Sequence, residues 1–125
     1  MENMTETEQI NIINMFLSAL IVTSGYRTAV PFNTLKFGEL VESLPDNLFA
    51  KKFFVTKTPV GPRCRDFREG ISLAQNLGLV TRDVSNSPTI IPKLDLFQVA
   101  SFEKDSELFS DTKKFVVLYL ERTKI

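Results

Sequence analysis

The residues with the most chemistry to offer are crowded into the middle of the chain. From position 60 it reads Val60-Gly61-Pro62-Arg63-Cys64-Arg65-Asp66-Phe67-Arg68-Glu69-Gly70, and continues Ile71-Ser72-Leu73-Ala74-Gln75-Asn76-Leu77-Gly78-Leu79-Val80. On a helix, Phe67, Ile71, Ala74 and Leu77 fall on one apolar side, and Arg65, Arg68, Ser72, Gln75 and Asn76 on the other. Arginine can bond guanine edges bidentately, and the amides of Asn and Gln match adenine, so these types at this spacing suit the grooves of duplex DNA. Arg63, in the expected first turn, would lie beside backbone N–H groups able to hold a phosphate. Lys51, Lys52, Lys57 and Arg82 would add phosphate contacts from the flanks. Asp66 and Glu69, on the same helix, would weaken such a grip. A solvated polar face, or one that docks a protein, has the same composition.

Charge along the chain agrees with this focus. The 15 Lys and Arg balance the 15 Asp and Glu. Residues 1–50 carry two positive and six negative charges, residues 51–82 seven and two, and residues 83–125 six and seven. The net charges are therefore −4, +5 and −1. A basic middle between acidic flanks points to an anionic partner.

Catalytic readings find little support. The chain has no histidine, the commonest general base and metal ligand, and so no Ser-His or Cys-His pair. No Gly-x-x-x-x-Gly-Lys loop or Gly-x-Gly-x-x-Gly fingerprint occurs. A nuclease pattern can be assembled on paper from Pro45-Asp46 and Asp111-Thr112-Lys113, but the separation is very long, and Asp111 suits a helix cap. Glu103, Asp105 and Glu107 read as a surface cluster. The lone Cys64 cannot form an intrachain disulfide. Between Arg63 and Arg65 at a helix start its thiol pKa would be lowered, as in redox sensors; otherwise it is simply a small helix residue. No cofactor or metal is expected.

The 125 residues, 43% apolar and 24% charged, fit one soluble domain. The apolar stretch from Ile10 to Val22 is too short and too polar to span a bilayer. Acidic Glu2, Glu6 and Glu8 precede it, where a secretory signal carries positive charge, so the expectation is a cytoplasmic protein. Eleven phenylalanines could stack on bases, but their spread along the chain favours core filling.

Several elements can be placed. Thr5 or Thr7 caps a first helix, Thr5 with Glu8 forming a capping box; Ile10, Ile13, Leu17, Leu20 and Ile21 share its apolar face and Gly25 stops it. Residues 26–34 read as a loop or short extended arm. Leu35, Phe37, Leu40, Val41 and Leu44 suggest a second helix ending at Pro45, with Gly38 an awkward interior residue. Residues 47–57 fit a short helix or a buried strand. Thr58-Pro59-Val60-Gly61-Pro62 is punctuation, with Pro62 suited to be the first residue of the third helix, which Gly78 closes. Residues 79–84 and 89–92 form a β-hairpin around Ser85-Asn86-Ser87-Pro88, and Pro88 and Pro92 suggest edge strands. Residues 94–102 resist assignment. Ser110 or Asp111 caps a final helix over about 112–122, although a buried strand fits Phe115 to Leu120 nearly as well.

Helix, helix, punctuation, helix, hairpin is the skeleton of a winged helix-turn-helix. Residues 60–80 resemble the Gly-Pro, amphipathic helix, Leu-Gly-Leu-Val pattern of that superfamily. The resemblance implies an α+β, mostly helical fold with a β-hairpin wing, a core over about 8–92 and an extra C-terminal element over 93–125. It implies a non-enzymatic protein that binds double-stranded DNA, a dimeric transcriptional regulator. Phe115, Leu118 and Tyr119 are the expected dimer surface. The rival is an interaction subunit of a multi-protein bacterial assembly. The wing offers only Arg82, followed at once by Asp83, and Gly70 is unusual in a rigid reader helix.

Overall fold

Helix α1 (Glu6–Ser24) begins with the expected capping box: Thr5 Oγ1 accepts from the Glu8 amide at 3.2 Å, and Glu8 Oε1 accepts from the Thr5 amide at 2.9 Å. Those bonds hold the Glu8 carboxyl below its ordinary range. Gly25, at φ 94°, returns its amide to the Ile21 carbonyl and ends the helix. Burial goes well beyond the expected stripe. Ile12, Met15, Phe16 and Ala19 join Ile13, Leu17, Leu20 and Ile21 in the core, so α1 is the axis of the fold.

The computed structural model describes residues 4–84, 87–103 and 106–124, with the side chains of Glu103 and Ser106 excluded. After α1 come β1 (Val30–Pro31), α2 (Thr34–Ser43), a 3-10 turn (Ala50–Lys52), β2 (Thr56–Thr58), β3 (Gly61–Arg63) and α3 (Arg65–Asn76). Then follow β4 (Val80–Asp83), β5 (Thr89–Pro92), α4 (Leu96–Glu103) and α5 (Ser106–Thr123). β2 and β3 form a hairpin of their own, while β1, β5 and β4, in that order, form an antiparallel sheet. The fold is α+β and mostly helical. Among the described residues, no helix is long and apolar enough to cross a membrane. Glu2, Ser85, Asn86 and Asp105, together with the Glu103 side chain, lie outside the described residues.

The core is aromatic. Phe37 of α2 stacks on Phe67 of α3 at 3.7 Å and 5°. Phe16 of α1 meets Phe37, Phe67 and Tyr119 edge-on at 5.7, 5.3 and 5.6 Å. Phe49, Phe53 and Phe115 pack around the same rings. Edge-to-face and stacked pairs add to simple area burial, so this cluster orients the helices as well as filling space.

Five expectations need correction. Pro62 does not open the third helix. It lies in β3 opposite Lys57, because Thr58-Pro59-Val60-Gly61 closes as a tight hairpin, with Thr58 Oγ1 donating to the Gly61 carbonyl (2.7 Å) and Gly61 at φ 121°. The helix begins instead at Arg65, with Cys64 as its N-cap. β5 is the middle strand, not an edge. The Lys93 amide donates to the Leu79 carbonyl, so by alternation the Pro92 nitrogen faces the other side, where β1 has already ended. Leu77 caps α3 at 59% exposure instead of extending its apolar face.

The last helix starts at Ser106, so Ser110 and Asp111 lie within it; Asp111 Oδ2 accepts from the Leu48 amide at 2.7 Å. Finally, Phe115 and Tyr119 are fully buried, so they offer no dimer surface. The Tyr119 hydroxyl donates to the Pro31 carbonyl (2.6 Å) and accepts from the Asn33 amide (2.9 Å), tying α5 to the β1–α2 corner. Burial pushes that hydroxyl's pKa up. The ambiguous stretch 47–57 holds the short 3-10 turn Ala50–Lys52 and no buried strand: Phe53, Phe54 and Val55 lie outside any strand, and β2, which begins at Thr56, is largely exposed.

Gly38 explains itself by contact: a Cβ there would overlap the Pro62 carbonyl of β3. Elsewhere in a helix, Gly→Ala stabilises by about 0.5–1 kcal/mol. Here Gly38→Ala is expected to destabilise by about 1–3 kcal/mol through overpacking, read as a lower denaturant midpoint. A midpoint at or above that of the parent would contradict the close approach.

Candidate functional site

Helix α3 is fixed from its inner side. Phe67, Gly70, Ile71 and Ala74 are buried, and a Cβ at Gly70 would overlap the Ile13 side chain. The glycine inside this helix therefore serves close packing on α1 and is no sign of flexibility. Asp66 also turns inward, at 1% exposure. Its carboxylate accepts from Gln9 Nε2 at 2.8 Å and from the Met4 amide at 3.2 and 3.3 Å. It is thus a clamp to the start of α1 and not part of the outer face.

That outer face carries Arg65, Arg68, Ser72, Gln75 and Asn76 as expected; Ser72 is half-buried and the rest are exposed. Arg68, Ser72 and Asn76 follow one another at four-residue steps along one side. The cations differ in their freedom. Arg65 Nε donates to Glu69 Oε2 at 2.7 Å, and Gln9 Nε2 donates to Glu69 Oε1 at 3.2 Å. The Arg65 bond, helped by Gln9, lowers the Glu69 pKa, and the same pairing raises that of Arg65. Arg68 has no ion pair among the described residues.

Arg63 is not in the first turn of the helix. It lies on β3, where its Nη1 donates to Thr34 Oγ1 at 2.6 Å. Lys57, on β2 and 79% exposed, pairs with Glu42 Oε2 at 2.7 Å. Lys51 and Lys52 are exposed on the 3-10 turn, and Lys52 borders a hollow of about 260 Å³ with Met4, Glu8, Met15, Phe102 and Leu108. No α3 residue lines that hollow, so the structure does not join Lys52 to the α3 face. Arg82 is drawn inward: its guanidinium lies 4.7 Å from the centroid of the Phe32 ring, and its Nε is buried without a hydrogen-bond partner among the described residues. It lines the flank of α3 and does not reach outward from a wing.

Two hollows flank α3. One, of about 580 Å³, lies between the β2–β3 hairpin and the helix start, lined by Thr34, Thr56, Thr58, Val60, Arg63, Cys64, Arg65 and Arg68. The other, of about 530 Å³, is lined by Glu6, Gln9, Arg68, Glu69, Ser72, Leu73, Asn76 and Arg82. Arg68 borders both.

Cys64 is not activated. It is 2% exposed, and burial first, then the charges of Asp66 and Glu42, push its thiol up to about 12. These outweigh the arginines that flank it in sequence. Asp111, from the paper nuclease pattern, accepts the Leu48 amide on Oδ2 at 2.7 Å. Among the described residues, no three His, Cys, Asp or Glu side chains are grouped as a metal ion requires.

Sequence reasoning missed Gln9, Phe32, Thr34 and Glu42, the partners that hold Asp66, Arg82, Arg63 and Lys57. It also missed the β2–β3 hairpin, whose second strand, Gly61-Pro62-Arg63, carries no β-prone signal. Comparison of the chain with known protein families, with curated proteins and with solved structures finds no match.

A thiol reagent at pH 8 is expected to modify Cys64 only as fast as the protein unfolds. The folded pKa lies above the unfolded value of about 8.5. The stability this contributes is therefore complete below that pH and is lost as the pH climbs towards about 12. Cys64→Ala should show a shallower alkaline loss of stability, and rapid labelling of the folded parent would contradict the burial.

Proposed function

We propose that the chain is a winged-helix protein that binds double-stranded DNA without catalysis, in the manner of a transcriptional regulator. The observation that carries this reading is the setting of α3. Its inner side is locked to α1 and α2, while Arg68, Gln75 and Asn76 stand exposed on its outer side. The order α1-β1-α2, then a 3-10 turn and the inserted β2–β3 hairpin, then α3-β4-β5, with strands arranged β1-β5-β4, supports the same reading. In that architecture the third helix enters the major groove and the terminal hairpin is the wing. Arg68 supplies the unneutralised cation, and Gln75 and Asn76 supply amides for adenine edges.

A second reading has one observation in its favour. On α4, Phe97 is 87% and Leu96 69% exposed, an apolar pair suited to a partner protein in a larger assembly or to a second copy of the chain. α5 spends Phe115 and Tyr119 on the core and leaves Leu118 half-buried, so the α4 pair is the more exposed apolar surface.

Fluorescence anisotropy with labelled duplexes tests the first reading. Binding at low salt should weaken steeply as salt rises, because phosphate contacts release counterions. Arg68→Ala should raise Kd by about tenfold while leaving the thermal melt unchanged. Absence of binding at low salt would overturn the proposal.

A further inference from the structure

The β2–β3 hairpin is the part of the fold that a winged helix does not need. It rests on α2 through the Gly38–Pro62 contact, and with the first turns of α3 it walls the 580 Å³ cleft. Two arginines line that cleft without a carboxylate partner among the described residues. Arg68 is one. Arg63 is the other, and its bond to the Thr34 hydroxyl aims the guanidinium without neutralising it. The hydroxyls of Thr34 and Thr56 border the same space and donate to no acceptor among the described residues, which leaves them available to phosphate oxygens. The lip of the cleft is the hairpin tip, where Val60 is 66% exposed. On the β4–β5 hairpin, Arg82 lies over Phe32.

We propose that this cleft seats one phosphodiester strand of a bound duplex on Arg63 and Arg68, so that the β2–β3 hairpin, and not the β4–β5 hairpin, is the second element gripping the DNA backbone. The proposal rests on the reading of α3 as the DNA-binding helix and adds the path of the backbone beside it. Glu42 is a built-in restraint on that grip. Its carboxylate holds Lys57, on the β2 strand of the same hairpin, at 2.7 Å, so that this cation is already paired.

The test compares Kd for a two-turn DNA duplex, and its salt dependence, between the parent protein and single variants. Glu42→Gln removes the restraint and frees Lys57, so binding should tighten about two- to fivefold. Arg63→Gln should weaken it about tenfold and reduce the salt slope by about 1. Val60→Asp, a change at an exposed tip that threatens no core contact, should weaken it several-fold. Thermal melts identify any variant that has lost its fold. Parent binding that Arg63→Gln and Val60→Asp both leave unchanged overturns the cleft assignment and leaves the reading of α3 standing. If the parent does not bind duplex DNA at low salt, both fall.

Discussion

The parallel stack of Phe37 on Phe67 decides what α3 can do. Successive residues of a helix turn by about 100°, so fixing one side chain fixes the direction of every other. With Phe67 pinned between α2 and the edge of Phe16, Arg68, Ser72 and Asn76 have no direction left but outward. Asp66, next to Phe67, is carried inward to Gln9, and that clamp opposes rotation of the helix about its axis. Gly70 lets α1 come close enough for the stack and the clamp to hold together. Ring packing on one side thus produces a polar, partly cationic surface on the other.

The same packing reveals how formal charge overstates usable charge. The middle of the chain carries a net +5 over residues 51–82, yet its cations are not equally available. Glu69 holds Arg65, Glu42 holds Lys57, and Phe32 lies against Arg82. Lys51 and Lys52 sit on the 3-10 turn, where Lys52 borders a different hollow and Lys51 lines neither hollow beside α3. What remains on the α3 side is Arg63 and Arg68, one on each wall of a single cleft. Exposed ion pairs contribute only about 0–1 kcal/mol, so Arg65 and Lys57 can exchange their carboxylates for a stronger anion. Arg63 and Arg68 need no such exchange.

Much of this fold was legible in the sequence because its signals are local. The Thr5–Glu8 box, the Gly25 stop, the α3 periodicity and the strands flanking residues 85–88 each depend on residues a few positions apart. What could not be read depends on contacts between distant segments. Pro62 looked like a helix start until the pairing of β2 with β3 placed it in a strand. Pro92 looked like an edge residue because nothing near it in sequence reveals that β1 stops short. Phe115 and Tyr119 looked surplus because their partners, Phe37 and Pro31, lie more than 75 residues earlier. The exposed face of α3 was read correctly; the partners that restrain its charges were not, since Glu42, Phe32 and Gln9 come from other elements.

The central claim is that the outer face of α3, held in place by its aromatic inner side, is the surface that meets duplex DNA. Backbone amide NMR during titration with a DNA duplex at low salt tests it most directly. The account predicts shift changes concentrated at Arg63, Arg68, Ser72, Gln75 and Asn76, with the buried Phe37–Phe67 layer unmoved. Changes confined to Leu96 and Phe97 on α4, or no changes at all, would contradict it.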